Sequence, residues 1–212
     1  MRNIPLFTTE YGAASLILES VAARKEAYVR IQSSLEPERL LQECVSFCRS
    51  CGAEYVYATG HEMLEQYPMH TSILQMRAYR DSLGDTDAAL FPLQEKTMHS
   101  WRKIYNDRMA EVDNAAWMSE IAMKSLLSEG SAYFVHRNGI LLGIGKASDD
   151  RIDAVASIVK GAGRDVVCAL AHALCSENVV IEVASTNQRA IALYERLGFI
   201  TVKELSKWYQ IL

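Results

Sequence analysis

The segment Asn178–Leu205, "NVVIEVASTNQRAIALYERLGFITVKEL", carries the most informative pattern in this chain of 212 residues. It begins with a run of apolar and β-branched residues, which predicts a buried strand. From Asn187 onward, apolar residues recur three and four positions apart, which predicts a helix that ends near Gly198. The segment therefore predicts a strand, a helix and a closing pair of strands.

A glycine turn, Lys160–Arg164 or "KGAGR", precedes this segment. It lies between a predicted strand, "RIDAVASIV", and a predicted helix, "RDVVCALAHALC". Backbone N–H groups in such a turn can converge on an anion, and the helix N-terminus adds a favourable partial charge. Glycine permits close approach, while Lys160 and Arg164 add positive charge. The turn therefore indicates a phosphate site, although an ordinary strand-to-helix connection has the same appearance.

The segments before the turn predict a mixed α/β fold. A strand, "ALFPLQEKT", is followed by two helices, "MHSWRKIYNDRMAEV" and "AAWMSEIAMKSLLSEG". Next comes "SAYFVHRNGILLGIGKAS", where Asn138-Gly139 is a strong signal for a two-residue hairpin turn. The order of elements predicts a mostly antiparallel sheet flanked by helices.

The glycine turn and the segment from Asn178 together resemble the GNAT superfamily of acetyl-CoA-dependent N-acetyltransferases. In that family, a turn of the form [Q/R]-x-x-G-x-[G/A] joins a strand to a helix, and a segment N-x-x-A-x-x-L-Y-x-x-x-G-F follows. Here the second motif falls on Asn187, Ala190, Leu193, Tyr194, Gly198 and Phe199. The resemblance covers residues 88–212 and implies a GNAT-like central sheet flanked by helices.

The resemblance also implies a reaction, the transfer of an acetyl group from acetyl-CoA to a primary amine by direct attack, with no metal. The coenzyme pyrophosphate would lie on the backbone of Lys160, Gly161, Ala162, Gly163, Arg164 and Asp165. The pantetheine amides and the acetyl carbonyl would lie on the backbone of Val155, Ala156 and Ser157. Asn187 would contact the pantetheine arm or the neighbouring chain. Tyr194 would be the general acid, because a phenol is protonated near pH 7 and can donate to the departing thiolate.

Two residues depart from the family pattern. Lys160 stands where arginine or glutamine is usual. Asp165 stands where the motif has its last small residue, and it brings a carboxylate close to the proposed phosphate site. Alternatively, Asp165 caps the helix or faces Arg164, since an acidic residue is favourable in the first turn of a helix.

No motif fixes the base that deprotonates the amine. Glu182 is the catalytic candidate by position, with Asp153 as a second carboxylate and His136 as a weaker choice. Charged side chains on strands are ordinarily solvated surface residues, and an ordered water is a further alternative for the base.

Residues 1–85 predict a second α/β region, separated from the first by "RDSLGDTDAA". Their predicted order of strand, helix, strand, short helix and strand resembles a degenerate GNAT half. This region has no glycine turn before its helix, so we do not expect it to bind coenzyme A. It would extend the sheet, cover a sheet edge or shape the acceptor pocket.

Three of the five cysteines, Cys44, Cys48 and Cys51, form C-x3-C-x2-C. This spacing resembles the iron–sulfur signature of radical S-adenosylmethionine enzymes. It also places all three thiols on one face of a predicted helix beside Leu40 and Leu41, where they would be buried as small apolar residues. We favour the buried interpretation, and we expect the cysteines to be reduced.

Composition limits the partners. A formal net charge of -4 and a pI near 5.8 give no basic field, so nucleic acid is not expected. The N-terminal residues lack a secretory pattern, and no stretch is apolar over the length of a membrane helix, so a cytoplasmic protein is expected. The exposed strands of "TVKELSKWYQIL" are compatible with a homodimer. The alternative to an enzyme is a non-catalytic acyl-CoA-binding or regulatory module.

Overall fold

The computed structural model describes residues 3–212 and contains two compact units. The first comprises residues 3–72 and Leu205–Leu212, and the second comprises Ile73–Glu204. These units differ from the predicted ranges 1–85 and 88–212. The predicted boundary segment belongs to the second unit because Arg80 anchors it there: the Arg80 backbone N–H donates to the Glu177 carbonyl at 2.8 Å.

The first unit is a sheet with the strand order β1-β2-β3-β4-β11. The β3–β4 pair is parallel, with Tyr28 opposite Tyr57, and the others are antiparallel. Its elements are β1 Ile4–Thr9, β2 Gly12–Ile17, α1 Val21–Arg24, β3 Glu26–Ser34, α2 Pro37–Ser50, β4 Tyr55–Thr59, a 3₁₀ helix Glu62–Gln66, the start of β5 Met69–Tyr79 and the end of β11 Ile200–Gln210. Strand β1 was not predicted.

Helix α2 buries one face in the core of the first unit. Pro37 occupies its first turn, where a missing N–H costs nothing. Cys44 and Cys48 are fully buried on this face, and Cys51 follows the last helical residue. Burial raises the pKa of the Cys44 and Cys48 thiols to about 12, which disfavours the thiolate that would bind a cluster. The two thiols therefore pack as small apolar groups, as the helical spacing predicts.

The second unit is a sheet with the strand order β5-β10-β9-β8-β7-β6. Neighbouring strands are antiparallel except β9 and β10, which confirms the prediction of a mixed, mostly antiparallel sheet flanked by helices. Its further elements are β6 Ala89–Pro92, α3 Met98–Met109, α4 Glu120–Glu129, β7 Ala132–Arg137, β8 Ile140–Ser148, β9 Arg151–Ser157, α5 Gly163–His172, β10 Asn178–Ala184, α6 Gln188–Arg196, and 3₁₀ helices at Arg80–Ser82 and Glu95–Thr97.

The helices of the second unit cover both faces of its sheet. Helices α5 and α6 pack on one face, over Ile152 and Ile181. Helices α3 and α4 pack on the other, over Ile144 and Ala156. Alternate residues of a strand point to opposite faces, so β7, β8 and β9 supply residues to both cores. No helix within residues 3–212 is long and apolar enough to cross a membrane.

The predicted hairpin is confirmed. Strands β7 and β8 are joined by Asn138 and Gly139, whose φ angles of 52° and 78° are both left-handed. A two-residue turn with two positive φ angles matches the twist of the flanking strands, and asparagine and glycine adopt such angles at low cost.

Two of the predicted element boundaries were wrong by several residues. The first strand of "ALFPLQEKT" ends at Pro92, after which Gln94 and Thr97 form a capping box for a 3₁₀ helix. Helix α4 begins at Glu120 and not at Ala115, because the Ser119 hydroxyl accepts the Ala122 N–H at 3.1 Å and starts the helix there.

The predicted closing strand pair is a single strand, β11. Its sequence contains no glycine, proline, asparagine or aspartate that would start a turn. Near its end, Tyr209 pairs with Ala58 of β4, so this part of the strand is already bonded within the chain.

We predict that Gly143→Ala lowers the free energy of unfolding by about 1–3 kcal/mol, because overpacking forces the strands apart. A Cβ at Gly143 would press on the backbone of β9, including the Ala156 carbonyl and, at 3.0 Å, the Ser157 Cα. Urea denaturation measures the change. Asn138→Gly on the same hairpin is the control, expected within about 0.5 kcal/mol of wild type. Equal stability of Gly143→Ala and wild type would contradict the close β8–β9 approach.

Candidate functional site

Strands β9 and β10 run parallel but soon part. Their ladder holds Val180 opposite Arg151 and Ile181 opposite Ile152, and among residues 3–212 it has no further pair. Beyond that point β9 stays paired with β8 through Ser157, and β10 stays paired with β5 through Ala184. The facing edges of the two strands therefore leave backbone groups unpaired by a ladder, with Val155, Ala156 and Ser157 along one edge.

A β-bulge marks the place where the strands part. Lys146 pairs with Ala154 and Ala147 pairs with Ile152, which leaves Asp153 as an extra residue in β9. A bulge bends its strand and increases the local twist. The bulge at Asp153 therefore contributes to turning β9 away from β10.

The glycine turn follows β9 and leads into α5. The Ile158 and Val159 N–H groups donate to the Leu142 carbonyl, Ala162 donates to Val159, and Val166 donates to Ala162. The other backbone N–H groups of the turn and of the first helical residues have no hydrogen-bond acceptor within residues 3–212. They belong to Lys160, Gly161, Gly163, Arg164 and Asp165. Orphan donors at a helix N-terminus suit an anion such as phosphate.

The two glycines of the turn are required for different structural reasons. Gly161 has a φ angle of 88°, which side chains other than glycine adopt only with strain, while the space beside it is open. Gly163 begins α5, and a Cβ there would lie 2.9 Å from the Leu193 side chain on α6. Gly161 therefore shapes the turn, and Gly163 allows α5 and α6 to approach each other.

The Asp165 carboxylate is neutralised by nearby donors. Its Oδ2 lies 2.9 Å from the Arg137 guanidinium, and its Oδ1 accepts the Thr86 hydroxyl at 3.1 Å. Arg164 lies 3.7 Å from the same carboxylate and donates to the Asp85 carbonyl at 3.2 Å. Asp165 thus faces Arg164, which was one of the predicted alternatives. No pattern in the sequence predicts its pairing with Arg137.

A second arginine, Arg108 at the end of α3, lies at the turn and was missed by the sequence analysis. Its Nη2 donates to the Ile158 carbonyl at 3.2 Å. Together with Ile104 and Asp107, these two residues line a cavity of about 250 Å³. Arg108 is fifty positions from Ile158 in the chain, and nothing in its local sequence indicates this contact.

The loop between α3 and α4 is fastened beside β10 by a hydrogen bond. The Thr186 hydroxyl, just before α6, donates to the Asp113 carboxylate at 2.6 Å. This bond and the Arg108 bond attach α3 and its following loop to the ends of both diverging strands. The sequence pattern predicted neither bond, because each joins residues far apart in the chain.

Tyr194 lies on α6 and is 7% exposed, packed against Phe199 with ring centroids 5.7 Å apart. Burial raises the pKa of its hydroxyl to about 12. The phenol therefore keeps its proton at neutral pH, which is the state that a general acid requires.

Asn187 caps helix α6. Its Oδ1 accepts the Ala190 backbone N–H at 3.2 Å, which is the usual interaction of an N-cap asparagine. The amide oxygen is thereby engaged, and the two N–H donors of the side chain are the groups left for a ligand.

Glu182 and Asp153 are the first residues past the last β9–β10 ladder pair, and Arg151 connects them. Arg151 contacts the Glu182 carboxylate at 2.5 Å and the Asp153 carboxylate at 3.4 Å. The Glu182 hydrogen bond is the main cause that raises the pKa of Arg151. His136, the weaker candidate base, packs edge-on against Phe91 at 5.1 Å.

Within residues 3–212, no group of three or more histidine, cysteine, aspartate or glutamate side chains is arranged to hold a metal ion.

No family model and no curated protein matches the sequence. Solved structures do match. A functionally unknown conserved protein from Staphylococcus epidermidis ATCC 12228 aligns at 9% identity with a TM-score of 0.62, over 96% of this chain and 91% of that one. A GCN5-related N-acetyltransferase from Sphaerobacter thermophilus aligns at 11% identity with a TM-score of 0.58, over 93% of this chain and 75% of that one.

A GCN5-related N-acetyltransferase from Anabaena variabilis ATCC 29413 aligns at 12% identity with a TM-score of 0.63, over 94% of this chain and 59% of that one. These alignments include residues of both compact units. At such identities the likeness shows the fold alone: the chain has the fold of the GNAT superfamily of acetyltransferases.

Proposed function

We propose that the protein is an N-acetyltransferase that carries an acetyl group from acetyl-CoA to a primary amine. The observation that supports this most is that two features of the second unit are adjacent. The orphan N–H groups of the turn from Lys160 to Asp165 follow directly on the opening between β9 and β10. A ligand with a phosphate end and an amide-bearing arm fits that combination.

In this proposal the pyrophosphate accepts hydrogen bonds from the backbone of the turn, from Lys160 to Asp165. The pantetheine arm lies along the free edge of β9, where Val155, Ala156 and Ser157 offer backbone groups in the spacing of a strand. Asn187 donates to the arm through its side-chain N–H groups.

The reaction is a direct acyl transfer. The amine nitrogen attacks the thioester carbon to form a C–N bond, and the tetrahedral intermediate collapses by breaking the C–S bond. A base takes the proton that the amine loses, and Tyr194 gives its proton to the departing sulfur. With a pKa of about 12, the Tyr194 hydroxyl is a weaker acid than the thiol that it would form by protonating the leaving group, whose pKa is about 8.5. We therefore expect proton transfer to accompany C–S cleavage instead of preceding it.

Glu182 is the proposed base, because it stands where β9 and β10 part. In the free protein its carboxylate is paired with Arg151, and it must leave that pair to accept a proton. Arg151 also contacts the Asp153 carboxylate, so the arginine keeps an anionic partner when Glu182 takes a proton.

The second candidate is a non-catalytic acyl-CoA-binding module. The observation in its favour is the engagement of both candidate bases, Glu182 and Asp153, by Arg151. The two candidates share the coenzyme site and differ in turnover.

We predict saturable binding of acetyl-CoA in calorimetry and at least tenfold weaker binding by Gly161→Val, because valine cannot adopt the φ angle of 88° without strain. Gly139→Val is the matched control, since Gly139 also has a left-handed φ angle and open space beside it but lies at the hairpin tip. Equal effects of the two variants, or no binding by the wild type, would count against the coenzyme site.

We predict that Tyr194→Phe lowers kcat by about 10²–10⁴-fold while leaving acetyl-CoA affinity unchanged, because it removes only the transferred proton. Release of free thiol from acetyl-CoA, measured across a panel of small amines, amino acids and peptides, gives the rates. Since the raised pKa keeps Tyr194 protonated well into the alkaline range, no fall in rate below about pH 10 should originate from this residue. Full activity of Tyr194→Phe would rule out this role.

We predict that Glu182→Gln lowers kcat by about 10²-fold or more, because the glutamine amide cannot take the proton of the amine. Asp153→Asn is the matched control, because it loses a carboxylate on the same arginine. It should leave the rate within a few fold of wild type. A larger loss of kcat in Asp153→Asn than in Glu182→Gln would indicate that Asp153, and not Glu182, is the base.

A further inference from the structure

The cations around the glycine turn fall into two groups. Arg164 and Arg137 are both committed to the Asp165 carboxylate, and Arg164 also donates to the Asp85 carbonyl. Gly84 approaches Arg164 so closely that a Cβ there would lie 2.8 Å from its Nη2. The loop that contains Gly84 and Asp85 therefore packs against the Arg164 side chain, which limits its freedom to reach a ligand.

Lys160 and Arg108 form the other group. Lys160 is exposed within the turn itself. Arg108 is exposed at the end of α3, and its Nη2 is fixed on the carbonyl of Ile158, the residue that follows β9. The carboxylate next to it, Asp107, pairs with Lys103 at 2.6 Å and so does not neutralise Arg108.

We propose that Arg108, and not Arg164, is the arginine that binds the phosphate groups of the acyl-CoA. This inference rests on the proposed function. A guanidinium has five N–H donors, and the bond to Ile158 uses one of them, which orients the remaining fork at the mouth of the turn. A planar fork held in place by a backbone carbonyl suits the bidentate geometry of phosphate.

The position of Arg108 gives this contact a second consequence. Helix α3 ends at Met109, immediately before the loop that Asp113 fastens to Thr186. A phosphate bound by Arg108 would therefore add a contact at the end of α3, next to the loop that the Asp113 hydrogen bond already holds.

The test compares Arg108→Gln with Arg164→Gln in the full chain, using coenzyme A and pantetheine as probes in calorimetry. Pantetheine lacks every phosphate and shares the arm. Both variants are first checked for unchanged circular dichroism. We expect Arg108→Gln to weaken coenzyme A binding by about tenfold or more and pantetheine binding by less than about twofold, because one charge-assisted hydrogen bond to phosphate is lost.

Arg164→Gln should weaken coenzyme A binding by less than about threefold and should lower Tm, because its partners are within the protein. A larger loss of coenzyme A affinity in Arg164→Gln than in Arg108→Gln would overturn the assignment. An equal loss for both probes in Arg108→Gln would also overturn it, because the residue would then be shaping the turn. Absence of coenzyme A binding by the wild type would instead remove the proposed function itself.

Discussion

Strands β9 and β10 form a parallel ladder of two residue pairs and then separate. The arrangement of the candidate site depends on that separation. The cause is local: a bulge at Asp153 bends β9, while β8 and β5 keep the outer edges of the two strands bonded. Backbone groups that would otherwise pair across the ladder are left for a ligand. The first residue of the helix that follows β9, Gly163 of α5, then lies against Leu193 of α6.

Charge around the glycine turn is arranged so that side chains neutralise one another and the backbone remains free. Asp165 would repel a phosphate if unpaired, but Arg137, Arg164 and Thr86 together hold its carboxylate. This leaves the N–H groups of the turn, the Lys160 side chain and Arg108 on the Ile158 carbonyl as the groups available to the proposed phosphate. The site would thus rely mainly on fixed backbone dipoles, which need little reorganisation to bind.

Local signals in the sequence predicted the elements that depend on local chemistry. Asn138-Gly139 defined the hairpin, the cysteine spacing defined the buried face of α2, and the apolar spacing after Asn187 defined α6. The residues that sequence reasoning missed are joined by distant contacts. Asp165 meets Arg137, Arg108 meets Ile158, and Tyr209 of the last strand pairs with Ala58, and no periodicity or spacing carries information about such partners.

The proposed binding of the acetyl-CoA phosphates to the turn from Lys160 to Asp165 can be tested on its backbone amides, by NMR during a titration with coenzyme A. We expect the Lys160, Gly161 and Gly163 amide resonances to shift with saturation and to gain protection from hydrogen exchange, because their N–H groups acquire acceptors. Saturable binding that leaves these amides unperturbed and shifts another part of the chain would contradict it.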